Sequence, residues 1–149
     1  MEAKEFLSRA WYAENRIQAK MEQIKWLRSM ACRVTAGFDE FGGSRSQNVT
    51  AMQDTIVQIT EAEAELDRMI AELMAARREV IHIISRVEDK TERLLLEKRY
   101  LSWMTIRKIA EELHYGERWV KKKHHDALDA VQRILDERET GGNPARASV

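Results

Sequence analysis

The chain is poor in the residues that interrupt helices or cross-link a fold. Its 149 residues include one cysteine, one proline and six glycines. Because Cys32 is the only cysteine, an intrachain disulfide is excluded, and nothing indicates an oxidising compartment. Proline and glycine break helices most strongly, so their scarcity favours long, uninterrupted helices. The composition therefore predicts an all-α protein.

Long apolar runs are missing as well. No stretch approaches the roughly 20 apolar residues that a membrane-spanning helix needs, and the charged N-terminus lacks the pattern of a signal peptide. We therefore expect a cytoplasmic protein that has no membrane partner.

The sequence also lacks the common motifs of catalysis and cofactor binding. It contains no glycine-rich phosphate loop, no nucleophile motif around a serine or cysteine, and no carboxylate pair in a pattern that predicts a cleft. His114, His124 and His125 lie close together along the chain. Without a cysteine or a carboxylate at ligand spacing, they do not predict a zinc site. We expect a non-enzyme with no metal and no cofactor.

The net charge is zero, but the charges are unevenly distributed. Between Asp54 and Glu72, six acidic residues stand against one basic residue. Between Glu117 and His125, four basic residues stand against one acidic residue. A neutral total therefore conceals a basic segment, and clustered lysine and arginine are the usual electrostatic signature of nucleic-acid binding.

Two long amphipathic helices are predicted in the first part of the chain. The first covers about residues 3–34, and its apolar stripe comprises Leu7, Ala10, Ile17, Met21, Ile24, Ala31 and Val34. The glycine-containing stretch 37–48 predicts a loop. The second helix covers about residues 49–87, with apolar residues at the alternating three- and four-residue steps of a coiled coil. Its predicted seam comprises Val49, Met52, Ile56, Ile59, Leu66, Ile70, Leu73, Val80, Ile84 and Val87, with Glu63 and Arg77 as polar interruptions.

Two such helices joined by a loop most simply fold back as a long antiparallel hairpin, a coiled coil that covers residues 1–88. Further apolar residues beside the stripes, such as Trp26 and Met74, widen the apolar surface beyond what one partner helix covers. We therefore expect the hairpin to form a homodimer or a higher homo-oligomer, or to lean on the C-terminal part of the chain.

A trihelical helix-turn-helix module is predicted over residues 89–138. Asp89 followed by Glu92 resembles a capping box, which starts a helix that runs to about Leu101. Beyond Glu139 the sequence has no periodicity, so residues 139–149 are predicted to be a disordered tail.

The helix-turn-helix itself is predicted in the stretch TIRKIAEELHYGERWVKKKHHDAL, residues 105–128. Residues 114–116 form the turn, with Gly116 at the N-cap position of the second helix. One face of that helix is apolar and includes His124, which we expect to be a packed core histidine. The opposite face carries Arg118, Lys121, Lys122 and His125. The module would therefore present a basic face outward.

A family resemblance is carried by Leu96–Leu101, Thr105, Ile109, Ala110, Leu113, Val120, His124, Ala127 and Leu128. This pattern resembles sigma-factor region four and covers about a third of the chain. The longer arrangement, a coiled first half followed by this module, is similar to small phage and prophage proteins related to late-gene activators of the ArpU kind. The resemblance implies a transcription regulator in the bacterial host cytoplasm that binds double-stranded promoter DNA, with RNA polymerase as a further partner.

The chain departs from the region-four pattern at several positions. His114 stands where the family usually has glycine, and Gly116 stands where serine or threonine usually caps the second helix. Lys123 replaces an apolar residue, and its stem can lie along the core while its ammonium reaches solvent or a phosphate. Arg107 and Lys108 stand where acidic residues are common, so they add positive charge.

These positions predict two kinds of DNA contact. If the second helix enters the major groove, the base-reading residues are Arg118, Lys121, Lys122, His125 and Glu117. Arginine and lysine suit the guanine acceptors, whereas the Glu117 carboxylate can accept from a cytosine amine. The predicted phosphate-contacting residues are Arg107, Lys108, Lys123 and Trp119. Trp119 would brace the DNA or be half-buried in the module.

Two alternative functions stay open at this point. Small terminase proteins, which recognise DNA for packaging, also join a helix-turn-helix to coiled oligomerisation helices, although they usually place the DNA module first. The module could instead have lost DNA binding and serve as a protein adaptor, since His114 and Lys123 are unusual for the family. Salt-insensitive or absent DNA binding would favour the adaptor.

Overall fold

The computed structural model describes residues 1–40 and 45–141, with side chains at all of these except residues 35–40, 45, 46 and 48. The α-helices are α1 (Ala3–Glu40), α2 (Arg45–Ser85), α3 (Lys90–Leu96), α4 (Ile106–Leu113) and α5 (Glu117–Gly141). A π-helical turn, π1 (Glu97–Leu101), continues α3. No strand occurs in this part of the chain. The prediction of an all-α protein is thus confirmed.

The helices extend further than the sequence predicted. α1 continues to Glu40 and α2 begins at Arg45, so most of the stretch predicted to be a loop, 37–48, is helical. A single glycine such as Gly37 costs a helix only about 1 kcal/mol, which a long helix tolerates. Residues 41–44 lie outside the described residues. α5 continues to Gly141, so the beginning of the predicted tail is helical, and the rest of that tail, 142–149, also lies outside the described residues.

The chain divides into two compact units. The middle unit is Tyr12–Leu73, and the terminal unit combines Met1–Trp11 with the residues from Met74 onward. Both long helices contribute to each unit. The division falls elsewhere than at residues 88 and 89, where the sequence placed a domain boundary.

The terminal unit has the larger core. The start of α1 and the end of α2 bury apolar residues against α3, π1 and α5, and these residues are Ala3, Phe6, Leu7, Val80, Ile83, Ile84, Val87, Leu96, Tyr100, Ala127, Val131 and Leu135. The backbone N–H of Ala3 donates to Gln132 Oε1 at 2.7 Å. Arg9 Nη2 donates to Glu79 Oε2 at 2.7 Å, which lowers the pKa of that carboxyl. The N-terminal residues are therefore joined to both α2 and α5.

The middle unit packs one segment of α1 against one segment of α2. Its core consists of Ile24, Leu27 and Ala62, with Ile59 and Leu66 packed against it. Two ion pairs flank this core: Lys20 Nζ lies 3.0 Å from Glu65 Oε2, and Arg28 pairs with Glu63. From Lys20 to Arg28 the residue numbers on α1 rise, while those of the paired residues on α2 fall from Glu65 to Glu63. The two segments are therefore antiparallel.

The buried seam of α2 differs from the predicted one at Ile56, Glu63, Ile70 and Arg77, whereas Ile84 is buried as predicted. Buried and half-buried residues recur at Met52, Thr55, Ile59, Ala62, Leu66, Met69, Leu73, Ala76, Val80, Ile83 and Val87. Val49, Ile56 and Ile70, which were predicted to lie in the seam, are exposed. Glu63 and Arg77 flank the seam instead of interrupting it. The observed register places small alanines in the seam and avoids the cost of burying two charged side chains.

The stripe of α1 contains a comparable error. Met21 was predicted to be buried but is 49% exposed, whereas Leu27, which was not in the predicted stripe, is buried. Lys20 occupies the half-buried position beside Met21, where its ammonium pairs with Glu65.

Candidate nucleic-acid interface

The first helix of the predicted helix-turn-helix is α4, which begins at a side-chain cap and ends at a residue in the left-handed conformation. Thr105 is the N-cap, and its Oγ1 accepts a hydrogen bond from the backbone N–H of Lys108 at 3.2 Å. This bond satisfies one of the free donors of the first turn. At the other end His114 adopts the left-handed conformation, with φ 58° and ψ 37°. The backbone N–H of Tyr115 then donates to the carbonyl of Ala110 at 3.1 Å.

The turn between α4 and α5 places its positive φ on a histidine and not on its glycine. Gly116 does not have a positive φ, and a Cβ added there would meet nothing within 4 Å. Its carbonyl accepts from the N–H of Val120 at 3.1 Å, the first main-chain hydrogen bond of α5. This agrees with the N-cap position that the sequence predicted for Gly116. Histidine tolerates the left-handed region better than most side chains, but less well than glycine.

Helices α3, α4 and α5 share a second apolar cluster within the terminal unit. Leu95, Ile109, Ala110 and Val120 are buried in it, and Met104, Ile106, Leu113 and Trp119 pack against it. The connection from π1 to α4 is held by Arg99, whose Nη1 donates to the carbonyl of Met104 at 2.9 Å. Upstream, Asp89 caps α3 by accepting from the N–H groups of Thr91 and Glu92, both at 2.9 Å, as the predicted cap required.

The four basic residues predicted to face DNA lie together on the surface of α5. Arg118, Lys121, Lys122 and His125 are all exposed, and their spacing of three, four and seven residues places them on one helix face. Residues on the other side of α5, among them Val120 and Ala127, are fully buried. Burial of the apolar side thus fixes which way the basic side points.

Glu117 and Arg107 of the predicted interface are also exposed, and each takes part in an ion pair within its own helix. Lys121 Nζ lies 3.7 Å from Glu117 Oε1, and Arg107 Nε lies 3.7 Å from Glu111 Oε1. Exposed pairs one helical turn apart contribute only about 0.3–0.5 kcal/mol. Either pair can therefore open at little cost when a phosphate or a base offers the cation a partner. Lys108 is exposed on α4 as well.

Trp119 and Lys123 lie beside the basic face in a stack that the sequence analysis missed. The ring of Tyr115 stacks on Trp119 with centroids 4.0 Å apart and planes inclined by 25°. Lys123 Nζ lies 5.8 Å from the centroid of the Trp119 ring. Trp119 and Lys123 are half-buried, whereas Tyr115 is exposed. The four-residue spacing of these three positions was the signal that could have predicted the stack.

His124 belongs to the packed side of α5, as expected from its place on the apolar stripe. Its Nε2 lies 2.8 Å from the hydroxyl of Tyr100, and the two rings stack at 5.7 Å. Burial lowers the pKa of His124 to about 4, and the positive charges of Arg99 and Lys4 act in the same direction. Burial raises the pKa of the Tyr100 hydroxyl. Both groups are therefore neutral at physiological pH.

Within the described residues, no group of three or more histidine, cysteine, aspartate or glutamate side chains is arranged to hold a metal ion. None of the helices formed by residues 1–40 and 45–141 combines the length and apolar character that crossing a bilayer requires.

Comparison with known proteins gave no match to a family model, to a curated protein or to a solved structure.

Proposed function

We propose that this chain is a DNA-binding transcription regulator of the phage type, a late-gene activator that recognises promoter DNA with α5. The observation that carries the proposal is the exposed face of Arg118, Lys121, Lys122 and His125, opposite a stripe that is buried against α3 and α4. A cationic helix held by two other helices has the chemistry and the support that major-groove binding requires.

The proposed architecture has two parts. α1 and α2 form a long antiparallel helical hairpin, which the antiparallel contacts within each unit support. α3, α4 and α5 form the trihelical helix-turn-helix module, supported by their shared cluster around Ile109 and Val120. The turn of three residues between α4 and α5 fits the short connection of this motif.

The contacts to DNA divide into two classes. Arg118, Lys121, Lys122 and His125 face base edges, and Glu117 accepts from a cytosine amine once its ion pair with Lys121 opens. Arg107, Lys108 and Lys123 contact phosphates, which orients the module without recognising sequence. Trp119 braces this side of α5, because Tyr115 covers one part of its ring and Lys123 approaches another.

We propose further that the chain is not an enzyme and acts in the cytoplasm of a bacterial host. The resemblance to sigma-factor region four makes RNA polymerase the first protein partner to examine. Co-purification of polymerase with the parent chain, in the presence and absence of DNA, tests that contact independently of promoter recognition.

The test of DNA recognition is selection of bound fragments from the source genome at near-physiological salt. The parent is compared with Lys121→Ala/Lys122→Ala, and with Arg133→Ala/Arg138→Ala as the control. The control removes the same charge from exposed positions further along α5. We expect the parent and the control to enrich a promoter region. The Lys121→Ala/Lys122→Ala variant should lose at least about tenfold in affinity, because each good base contact contributes about 1–3 kcal/mol.

The salt dependence of binding separates the two classes of contact. Lys108→Ala should reduce the slope of log K against log salt concentration by about 1, whatever the DNA sequence.

In the fragment selection, enrichment at a packaging start would instead support the small-terminase alternative. An equal loss of affinity in the Arg133→Ala/Arg138→Ala control would mean that the basic face contributes only non-specific charge. Binding by neither parent nor variant would refute the proposal and favour a protein adaptor.

A further inference from the structure

A second apolar stripe on α2 lies outside the buried seam of the middle unit. Val49, Ile56 and Ile70 are spaced by seven and fourteen residues, and all three side chains are exposed. Residues seven apart lie on the same side of a helix in a coiled-coil register. The three exposed side chains therefore form one line along α2. Single exposed apolar residues on an ordinary protein surface are scattered instead.

An ion pair shows which residues of α1 lie on the same side. Glu63 occupies the position midway between Ile56 and Ile70, and it pairs with Arg28 across the seam. Met21 lies seven residues before Arg28, so it shares the side of α1 that Arg28 occupies, and it is exposed too. We define the open face of the middle unit as Met21, Val49, Ile56 and Ile70.

The same register positions are used for helix packing in the terminal unit. Leu7 lies fourteen residues before Met21, and Ile84 lies fourteen residues after Ile70. Both are fully buried, in a core that includes Tyr100 and Val131 from the C-terminal helices. In that unit, additional helices of the same chain cover the side chains at these register positions. Within the described residues of the middle unit, only α1 and α2 are present.

The two helices of the middle unit carry opposite charge. The α1 segment 12–34 has five basic residues against two acidic ones, whereas the α2 segment 49–73 has six acidic residues against one basic one. Next to the open face, Lys25 lies one turn beyond Met21, and Asp67 lies one turn beyond Glu63. Both side chains are exposed. A partner that matches this face must therefore offer a basic strip opposite α2 and an acidic strip opposite α1.

We propose that the open face is the docking surface for a second copy of this chain, with α1 of each copy lying across α2 of the other. A second copy supplies the required pattern without any new component, because its α1 is basic and its α2 is acidic. Pairing α2 with α2 would instead oppose two acidic strips, which is unfavourable. The crossed arrangement makes a four-helix bundle in which both apolar stripes are buried.

Sedimentation equilibrium of the full chain tests the proposal. The wild type is expected to be a dimer, and Ile56→Glu should raise the dimer Kd at least about 30-fold, as removal of a central apolar contact commonly does. Val57→Glu is the matched control. Val57 is 53% exposed, against 48% for Ile56, and points about 100° away around the helix. It should change Kd less than about threefold. Circular dichroism confirms that each variant is helical, and Ile70→Glu replaces Ile56→Glu if that variant does not fold.

Charge reversal tests the crossed arrangement. Lys25→Glu and Asp67→Lys should each weaken the dimer, and the double variant should restore it, because each reversed lysine then faces a reversed aspartate in the other copy. Failure of the double variant to restore the dimer would overturn the crossed arrangement.

A monomeric wild type at about 100 µM, well above the Kd range of a specific dimer, would overturn the proposal and leave the face to a different protein. An Ile56→Glu variant that dimerises like the wild type would overturn it too, by placing the contact elsewhere. These substitutions leave α5 unchanged, so the dimer proposal and the DNA proposal can fail independently.

Discussion

The two units bury their apolar residues to different depths. Among the described residues, the largest fully buried side chains all belong to the terminal unit, and they are Leu7, Val80, Ile83, Ile84, Val87, Leu95, Leu96, Ile109, Val120 and Val131. In the middle unit, Ile17, Ile24, Leu27 and Met69 each retain 6% exposure. The difference follows from the number of helices. Two helices cover a seam from two sides only, whereas additional helices close it.

This difference also separates the two proposed roles. The basic face of α5 belongs to the terminal unit, whose core is closed, and packing there fixes the orientation of the helix. The middle unit leaves apolar residues exposed and carries strips of opposite charge, which suits a contact with another chain.

A matched pair of leucine-to-alanine substitutions measures most directly how the cores of the two units differ. Leu7→Ala should lower the free energy of unfolding by about 4 kcal/mol, since it opens a cavity in a closed core. Leu27→Ala should cost about 2 kcal/mol, because water reaches that site more easily and can partly refill it. Urea denaturation followed by circular dichroism supplies both values. Equal losses would contradict the contrast between the units.

The half-buried His124, paired with the buried Tyr100, makes the stability of the terminal unit depend on pH. Between pH 6.5 and about 4, an unfolded chain binds a proton on His124 that the folded chain does not bind. Stability is therefore full above pH 6.5, falls as the pH drops, and levels off below about 4. The loss should be about 2 kcal/mol, less than the pKa difference alone implies, because solvent still screens part of the ring.

Comparison with His124→Gln isolates this contribution from the carboxylates that titrate over the same range. The variant should show a smaller loss of stability between pH 7 and pH 4 in urea denaturation. An identical pH dependence of the two proteins would mean that His124 is solvated like an ordinary surface histidine.

Backbone strain is the smallest of the expected differences between the units. Within the described residues, the non-glycine positions with positive φ are Trp103 and His114, both in the terminal unit. His114→Gly should raise the free energy of unfolding by about 1 kcal/mol, because glycine adopts this conformation without steric cost. The neighbouring Gly116→Ser should add at most about 0.5 kcal/mol, through a better N-cap. Thermal unfolding ranks the two variants, and a destabilised His114→Gly would show that the imidazole makes a contact worth more than the strain.

The sequence predicted the number and type of the helices well, because proline and glycine are scarce and the apolar spacing is regular. It also predicted the capped start of α3 at Asp89 and the packed position of His124. The register of α2 was predicted wrongly at Ile56 and Ile70, although Ile84 is buried as predicted. A pattern based on hydrophobicity favours Ile56 and Ile70 over Thr55 and Met69, but the partner helix decides which side is buried.

The candidate site was predictable as far as its exposed basic face is concerned. A stripe of apolar residues on α5 fixes the opposite side, so the outward direction of Lys121 and Lys122 follows from periodicity alone. The stack of Tyr115, Trp119 and Lys123 was not predicted, since Tyr115 was assigned to the turn only. The conformation of His114 depends on the geometry of the turn, which no spacing rule specifies.

The hydrogen bond between Ala3 and Gln132 has a consequence for the order in which the chain folds. Residues 129 positions apart must meet before the terminal unit can close, whereas both helical segments of the middle unit exist once Leu73 has been synthesised. Closure of such a long loop is slow compared with the pairing of adjacent helices. On a ribosome the middle unit therefore folds first, and the basic face acquires its support only after α5 has been synthesised.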